Sequence, residues 1–314
     1  MVDSPLSASA YEVLGVSPAV GDEELRRTYR RRLRLSHPDT GGDAAAFVAV
    51  QRAWELVGTP EARAAYDGGH GAGRGSGEGS AAGERWRGRD EPETRSGSRL
   101  RATSYGRAGG WRRRRYLALV REWAGEEVSD PYDPAFVRGV PRELRRLLAD
   151  ALAEEETART VAGLGMGFTA WHDVAAGPQG GEDPAAKLDH IVLGPTGVYG
   201  LSSLDLGGIA RFRGGEIIGP DVGPRAPVTV LLAGLRAVAR TARVRFGGAV
   251  VTVPDDALAQ ATVSLGTVRG TLVVVTRRSA LATVLRGGVP GARPVGGNEL
   301  FDMRTRLQQA VRFV

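Results

Sequence analysis

The chain has 314 residues, no cysteine, four histidines and a formal net charge of +6. That length allows two folded units, and the missing cysteines exclude a disulfide framework and any Cys-ligated zinc site. The positive excess is local: residues 68–122 carry +7, against −2 for residues 1–67 and +1 for residues 123–314, so a polyanion would meet a basic tether rather than a basic domain.

In chain order, Gly21-Asp22-Glu23-Glu24 opens the first long helical pattern, with acids in the first turn where the helix dipole favours them and Glu24 placed for a capping box. Leu25, Tyr29 and Leu33 form one apolar stripe. Arg26, Arg27, Arg30, Arg31 and Arg34 fall mostly off it and predict an exposed basic face. Pro38 ends the pattern, because the residue before a proline is pushed out of the α region. A second helix over about 43–57 turns Phe47, Val50, Trp54 and Val57 toward the first stripe. Thr59-Pro60 starts a short third helix, with threonine as cap and proline at the first position.

Residues 68–110 hold 13 glycines, with serine, arginine and acids between them. Such a segment has too little apolar surface to offset its ordering entropy and reads as a linker. Trp111, Tyr116, Leu119, Val120 and Trp123 predict an amphipathic helix starting with Arg112–Arg115, which reads as a solvated helix start. A helical segment over 141–164 follows, with Leu144, Leu147, Leu148, Ala151 and Leu152 as its buried side. Strands are expected near 168–174, 189–193, 198–204, 209–213, 216–218, 249–253 and 272–276. Helices are expected near 227–243, 279–285 and 298–311. The glycines of 163–167 do not follow a strand as a dinucleotide loop must. The four histidines show no metal-ligand spacing, and His172 and His190 read as hydrogen-bonded core or turn residues. Lys187 is the only lysine, a bias read as codon usage. No apolar run reaches the roughly 20 residues of a membrane span. The N-terminal residues lack a secretory pattern, so a cytoplasmic protein is expected.

His37-Pro38-Asp39 lies between the first two long helices. It comes with Tyr11-Glu12-Val13-Leu14-Gly15 upstream and with Phe47, Ala53, Trp54, Arg63, Tyr66 and Asp67 downstream. In that order and spacing, residues 8–67 resemble the J domain of DnaJ-type co-chaperones. The resemblance implies an all-α antiparallel helical hairpin whose His-Pro-Asp loop docks on a DnaK-type chaperone (heat-shock protein 70 class) and stimulates its ATP hydrolysis. Arg26, Arg27, Arg30 and Arg31 would steer that loop onto an acidic partner surface. Arg32 stands where the family usually has an apolar residue.

The run Asp189-His190-Ile191-Val192-Leu193-Gly194-Pro195-Thr196-Gly197-Val198-Tyr199-Gly200-Leu201 is similar to the nuclease-related domain (NERD), a branch of the PD-(D/E)xK nucleases. Ala153-Glu154, Thr157-Ala158-Arg159 and Trp171-His172-Asp173-Val174 extend the similarity over about 150–290. It implies a restriction-endonuclease-like α/β fold, a mixed sheet flanked by helices. The family's chemistry uses a helix carboxylate, a strand Asp and a Glu-x-Lys pair around a divalent metal. Glu154 and Asp189 match the first two, but Ser202 and Leu204 stand at the Glu-x-Lys positions, and Asp205 would face the other side of a strand. A dead site follows, with Glu154 and Asp189 as a helix-surface acid and a strand-end acid left by the fold.

The sequence therefore predicts a multidomain protein: a J domain at 8–67, a linker at 68–110, a helical connector at 111–150 and a NERD-like α/β domain at 151–314. Its expected role is a DnaJ-like co-chaperone with a pseudo-nuclease adaptor, with no catalytic residue, metal or cofactor of its own. Its partners would be a DnaK-type chaperone and a client the sequence does not name. Weak nonspecific nucleic-acid contact would run through 68–122, and no membrane contact is expected. The alternative is a metal-dependent nuclease or nucleic-acid-binding factor that carries a J domain.

Overall fold

Ser9 starts the first helix, α1 (Ala10–Leu14), through a capping box: its hydroxyl accepts from Glu12 N, and the Glu12 carboxylate accepts from Ser9 N. The box expected at Glu24 does not form. The N-cap of α2 (Asp22–Ser36) is Gly21, which has no side chain to complete it. Helices α3 (Ala44–Val57) and α4 (Pro60–Gly68) begin as expected, with Asp43 capping one and Thr59 Oγ1 accepting from Ala62 N at 3.1 Å in the other. The computed structural model describes residues 4–38, 41–68, 86–87, 101–125, 128–176, 187–222, 224–291 and 293–314. They fall into two compact units, one drawn from Asp3–Arg89 with Val128–Pro141, the other from Asp90–Glu127 with Arg142–Val314.

In the first unit, Leu14, Leu25, Val50, Ala53 and Val57 form the buried core of α1 to α3, with Tyr29 stacked on Trp54 at 4.3 Å between ring centroids. Removing a core leucine of this kind costs about 2–5 kcal/mol. Arg63 on α4 ties the base of the hairpin. It donates to Asp22 Oδ1 at 2.9 Å, to the carbonyls of Pro18 and Val20 at 2.8 and 2.6 Å, and to the Tyr11 hydroxyl at 3.2 Å. Arg32 remains exposed, its guanidinium lying against Gly15. A short helix, α6 (Pro134–Gly139), capped by Asp133, also belongs to this unit.

The second unit is built on a seven-stranded sheet ordered β1-β2-β3-β4-β7-β9-β8. Its strands are β1 (Thr103–Tyr105), β2 (Thr169–Ala175), β3 (Lys187–Gly194), β4 (Gly197–Ser203), β7 (Gly248–Val253), β8 (Thr262–Val268) and β9 (Thr271–Arg277). β2-β3-β4 and β8-β9 pair antiparallel, whereas β1-β2, β4-β7 and β7-β9 are parallel. A separate hairpin joins β5 (Arg211–Arg213) and β6 (Glu216–Ile218). Helices cover both faces. Ala249, Val251 and Val253 pack with α8 (Pro227–Ala242) and α10 (Gly297–Ala310), while Val250 packs with α7 (Arg142–Ala162) and α9 (Leu281–Gly287). The predicted stripe Leu231, Leu235, Val238 and Ala242 is the buried side of α8. It sits so close that a Cβ on Gly200 would overlap Leu235.

Two strands escape the sequence reading. β1 lies inside the stretch assigned to the linker, so the folded unit reaches back at least to residue 101; much of 68–100 lies outside the described residues. β8 carries a bulge between Ser264 and Gly266 that breaks its alternation. The 150/151 boundary falls within α7, and α5 (Gly110–Ala124), assigned to a connector, packs against α7 as part of the same unit.

Candidate functional site

In the first unit, α2 stops at Ser36 and His37 turns extended (φ −67°, ψ 128°), as a residue before proline must. The turn is held from inside. Gly42 N donates to His37 O and Gly41 N to Pro38 O, both at 3.0 Å, and the His37 ring meets Phe47 edge-on at 5.0 Å. A Cβ on Gly42 would overlap the Ser36 backbone. Pro38 is exposed; Asp39 lies outside the described residues. Arg26, Arg27, Arg30 and Arg31 are all exposed on α2, and the contact of Arg27 with Glu24, at 3.7 Å, is itself solvated. A basic helix face next to held backbone at His37 and Pro38 can present directed groups to an acidic protein surface at small ordering cost.

The second unit holds a different arrangement. Along α7, Asp150, Glu154 and Thr157 recur on the buried side, so the face expected to be purely leucine and alanine is partly polar. Lys187 opens β3 and its ammonium donates to both oxygens of Glu154, at 2.9 and 2.8 Å, and to Asp173 Oδ1 at 2.6 Å. It also lies 3.1 Å from Asp189 Oδ1. Arg112, from α5, enters the same cluster. Its Nε donates to Glu154, and its other nitrogens reach Asp150 at 3.4 Å and Asp189 at 3.3 Å. Asp189 Oδ2 accepts from Ser202 Oγ at 3.0 Å and from Ser203 N at 2.9 Å. Gly109 N donates to Glu154, and Trp111 N to Asp173 at 2.8 Å, so the start of α5 is stitched onto the cluster. Asp173 takes this position with φ +50°, a left-handed conformation that Asp tolerates better than most residues.

Burial sets the electrostatics. Glu154 and Lys187 are 0 and 2 % exposed in their side chains, where unpaired charges would be expelled. Burial by itself would lower the Lys187 ammonium and the Arg112 guanidinium, but the surrounding carboxylates, Glu154 foremost, outweigh it and raise both. Burial likewise works to raise Asp189, yet Lys187 and Arg112 hold it far below the usual carboxylate range. Burial and then Asp189 push the Glu154 carboxyl up, against the pull of Lys187 and Arg112. Behind the cluster runs a buried chain: His172 Nδ1 to His190 Nδ1 at 2.8 Å, His190 Nε2 to Ser203 Oγ at 3.1 Å, and Ser203 Oγ to Thr157 Oγ1 at 2.8 Å. Burial lowers His172 to about 4, against a small upward pull from Asp173. It drives His190 well below the ordinary histidine value, helped by His172.

Several readings change here. Glu154 and Asp189 share one cluster around Lys187 and Arg112, buried and bonded rather than left as a helix-surface acid and a strand-end acid. Arg112 and Arg113 are 8 and 7 % exposed, not solvated; Arg113 pairs with Glu155. Ser202 bonds Asp189, and Leu204 lies just past the end of β4. Asp205 stays outside the cluster, accepting from Gly207 N. The sequence reading missed Lys187, Arg112, Asp150 and Asp173. One signal was available: a chain that uses arginine throughout keeps one lysine, two residues before Asp189, where strand periodicity turns both to one side.

The DnaJ domain family matches residues 9–67. Over 60 residues the chain is 45% identical to Chaperone protein DnaJ of Cyanothece sp. and 47% identical to Chaperone protein DnaJ of Thermosynechococcus vestitus, covering 18% of this chain and 16% of each relative. Over 57 residues it is 44% identical to DnaJ protein homolog 2 of Allium porrum, covering 18% of this chain and 14% of that one. The chain thus spans about one-sixth of the length of the curated relatives it matches. No solved structure matches it. Among the described residues, no helix is long and apolar enough to cross a membrane.

Proposed function

We propose, residues 9–67 being a J domain, that the chain works as a DnaJ-like co-chaperone. The His37-Pro38-Asp39 turn binds a DnaK-type chaperone and stimulates its ATP hydrolysis, with Arg26, Arg27, Arg30 and Arg31 guiding the encounter. The observation that carries this reading is the matched domain itself, with its basic helix face left in water and leading to His37 and Pro38. Asp39→Asn tests it. Phosphate release by the cognate DnaK-type ATPase is expected to lose its stimulation, and stimulation as strong as the parent's would overturn the proposal.

The second unit, on this reading, is a non-catalytic adaptor with a degenerate restriction-endonuclease-like, NERD-type site. Support comes from the chemistry of its side chains. A divalent cation needs free carboxylate oxygens, but those of Glu154 and Asp189 are already bonded by Lys187 and Arg112, Ser202 spends its hydroxyl on Asp189, and Leu204 has no ligand atom in its side chain. The residues present do not fit a metal, and among the described residues no group of three or more His, Asp or Glu is arranged to hold one. Incubating the protein with DNA or RNA and magnesium or manganese is expected to leave the nucleic acid intact. Cleavage that disappears in Asp189→Ala would restore the nuclease alternative. Nucleic-acid contact through 68–122 has less to draw on than the charge count suggests, because Arg112 and Arg113 face internal acids.

A further inference from the structure

Next to the charge cluster lies a cavity of about 270 Å³, just below the range usual for small-molecule sites, about 300–1,000 Å³. Most of its wall is apolar: Leu188, Leu204, Val222, Pro227 and Leu231. Its polar end is formed by Arg112, Lys187, Asp189, Ser202 and Arg225. Arg225 stands at the solvent edge, with 35% of its side chain exposed, whereas Arg112, Lys187 and Asp189 are buried.

The hydrogen-bond inventory of that polar end is one-sided. A guanidinium has five N–H donors. Arg112 places three on Glu154, Asp150 and Asp189; Arg225 places three on Asp150, at 3.0 Å, and on the carbonyls of Val222 and Asp221. Among the described residues, two donors on each remain without a partner. The acceptors are used up. Both oxygens of Asp189 and both of Glu154 already face donors. Among the described residues, the one buried carboxylate oxygen without a partner, Asp150 Oδ1, belongs to a residue that does not line the cavity. A cation or a donor-rich group entering here would find no oxygen of Asp189 or Glu154 that is not already bonded. A planar acceptor carrying negative charge would meet the remaining N–H donors of two guanidinium groups, which suits a carboxylate.

We propose that this cavity binds a small amphipathic carboxylate, its head group on Arg112 and Arg225 and its short chain or single ring against Leu188, Leu204, Val222 and Leu231. The nearby helix N-terminus is not what recruits it: the first amides of α8, Val228 N and Thr229 N, are already bonded to Glu216 at 3.1 and 2.8 Å. Binding concerns the second unit alone and stands whether or not the first activates an ATPase.

Titration calorimetry of the full chain with octanoate, octan-1-ol and octylamine, matched in ionic strength, tests this. Octanoate is expected to bind saturably at one site per chain, octan-1-ol at least about tenfold more weakly and octylamine not at all. Arg225→Met is expected to weaken octanoate by about tenfold or more. Leu231→Trp should fill the cavity and abolish binding, while circular dichroism reports an intact fold. Should the tryptophan variant fail to fold, Arg225→Met, on a partly exposed side chain, decides the matter alone. The proposal is overturned by octanoate that gives no saturable heat, by octylamine or octan-1-ol binding as tightly, or by affinity unchanged in Arg225→Met or in a folded Leu231→Trp.

Discussion

Arg26 and Arg112 are the same residue type in helices of the same chain, and the two units use them oppositely. In the first, the core of Leu14, Leu25, Val50 and Val57 is apolar, and arginines 26, 27, 30 and 31 stay in water. In the second, an apolar sheet core is interrupted by Arg112 and Lys187 enclosed among Asp150, Glu154, Asp173 and Asp189. Solvated charge is free to meet a partner and contributes little to stability. Enclosed charge is committed: it fixes where α5, α7 and β3 meet, and losing one member leaves the rest buried without compensation. The first unit leaves its arginines where a partner could reach them, and the second spends its buried charges on its own structure.

The largest effect that sharpens this contrast is expected at Lys187. Lys187→Met removes the ammonium shared by Glu154, Asp173 and Asp189 and is expected to destabilise the second unit by about 3–5 kcal/mol. Denaturant unfolding measures it, and pairing it with Asp173→Asn should return part of the loss in a double-mutant cycle. A change within experimental error would mean the cluster is not holding the unit together. Leu25→Ala, in the other core, is expected to cost about 2–5 kcal/mol through lost packing. It should move the transition of the first unit.

A pH effect of similar or slightly smaller size belongs to the second unit. His172 is lowered to about 4 by burial, against an unfolded value of about 6.5, and His190 moves further in the same direction. Between those values the unfolded chain binds more protons than the folded one, so stability rises with pH across the window. The contribution is fully present above about 6.5 and is lost as pH falls toward 4, roughly 3 kcal/mol for His172 alone. Glu154, raised by burial, gives the opposite slope; below about 6.5 two imidazoles act against it and the trend keeps its sign, whereas above about 6.5 Glu154 acts alone and reverses it. Thermal midpoints across pH 4 to 7 check this, and His172→Phe should flatten the profile. A midpoint for the second unit that ignores pH over this range would remove the histidine pair from the account.

How much of this was legible in the sequence follows the same division. α2, α3, α8 and strands β2 to β4 are readable because their apolar periodicity is local: Leu25, Tyr29 and Leu33, or Leu231, Leu235 and Val238, declare one face within a few turns. The tripeptide at the end of α2 is readable because proline dictates its own neighbourhood. Arg112 is not, because the acids that enclose it lie 38 to 77 residues away. A run of four arginines looks solvated until the chain has folded. β1 is invisible for a related reason: three residues at a sheet edge, in a glycine-rich surrounding, carry no period of their own.

The smallest expected change in stability completes the comparison. Replacing Arg26, Arg27, Arg30 and Arg31 together by Gln removes four charges, of which Arg27 has only a solvated contact with Glu24, so unfolding should shift by no more than about 0.5 kcal/mol. Association with the proposed DnaK-type partner should nonetheless slow, and the remaining rate should lose most of its dependence on ionic strength, since rim charges act on encounter more than on the bound state. Arg112→Gln removes one charge and is expected to do the reverse, weakening the fold while leaving the association rate as it was. Stopped-flow association at two salt concentrations, beside unfolding of the same proteins, separates the two. If four exposed arginines destabilised the chain as much as the single buried one, exposure would not be what divides their roles, and the basic face of α2 would have to be read as part of its own fold.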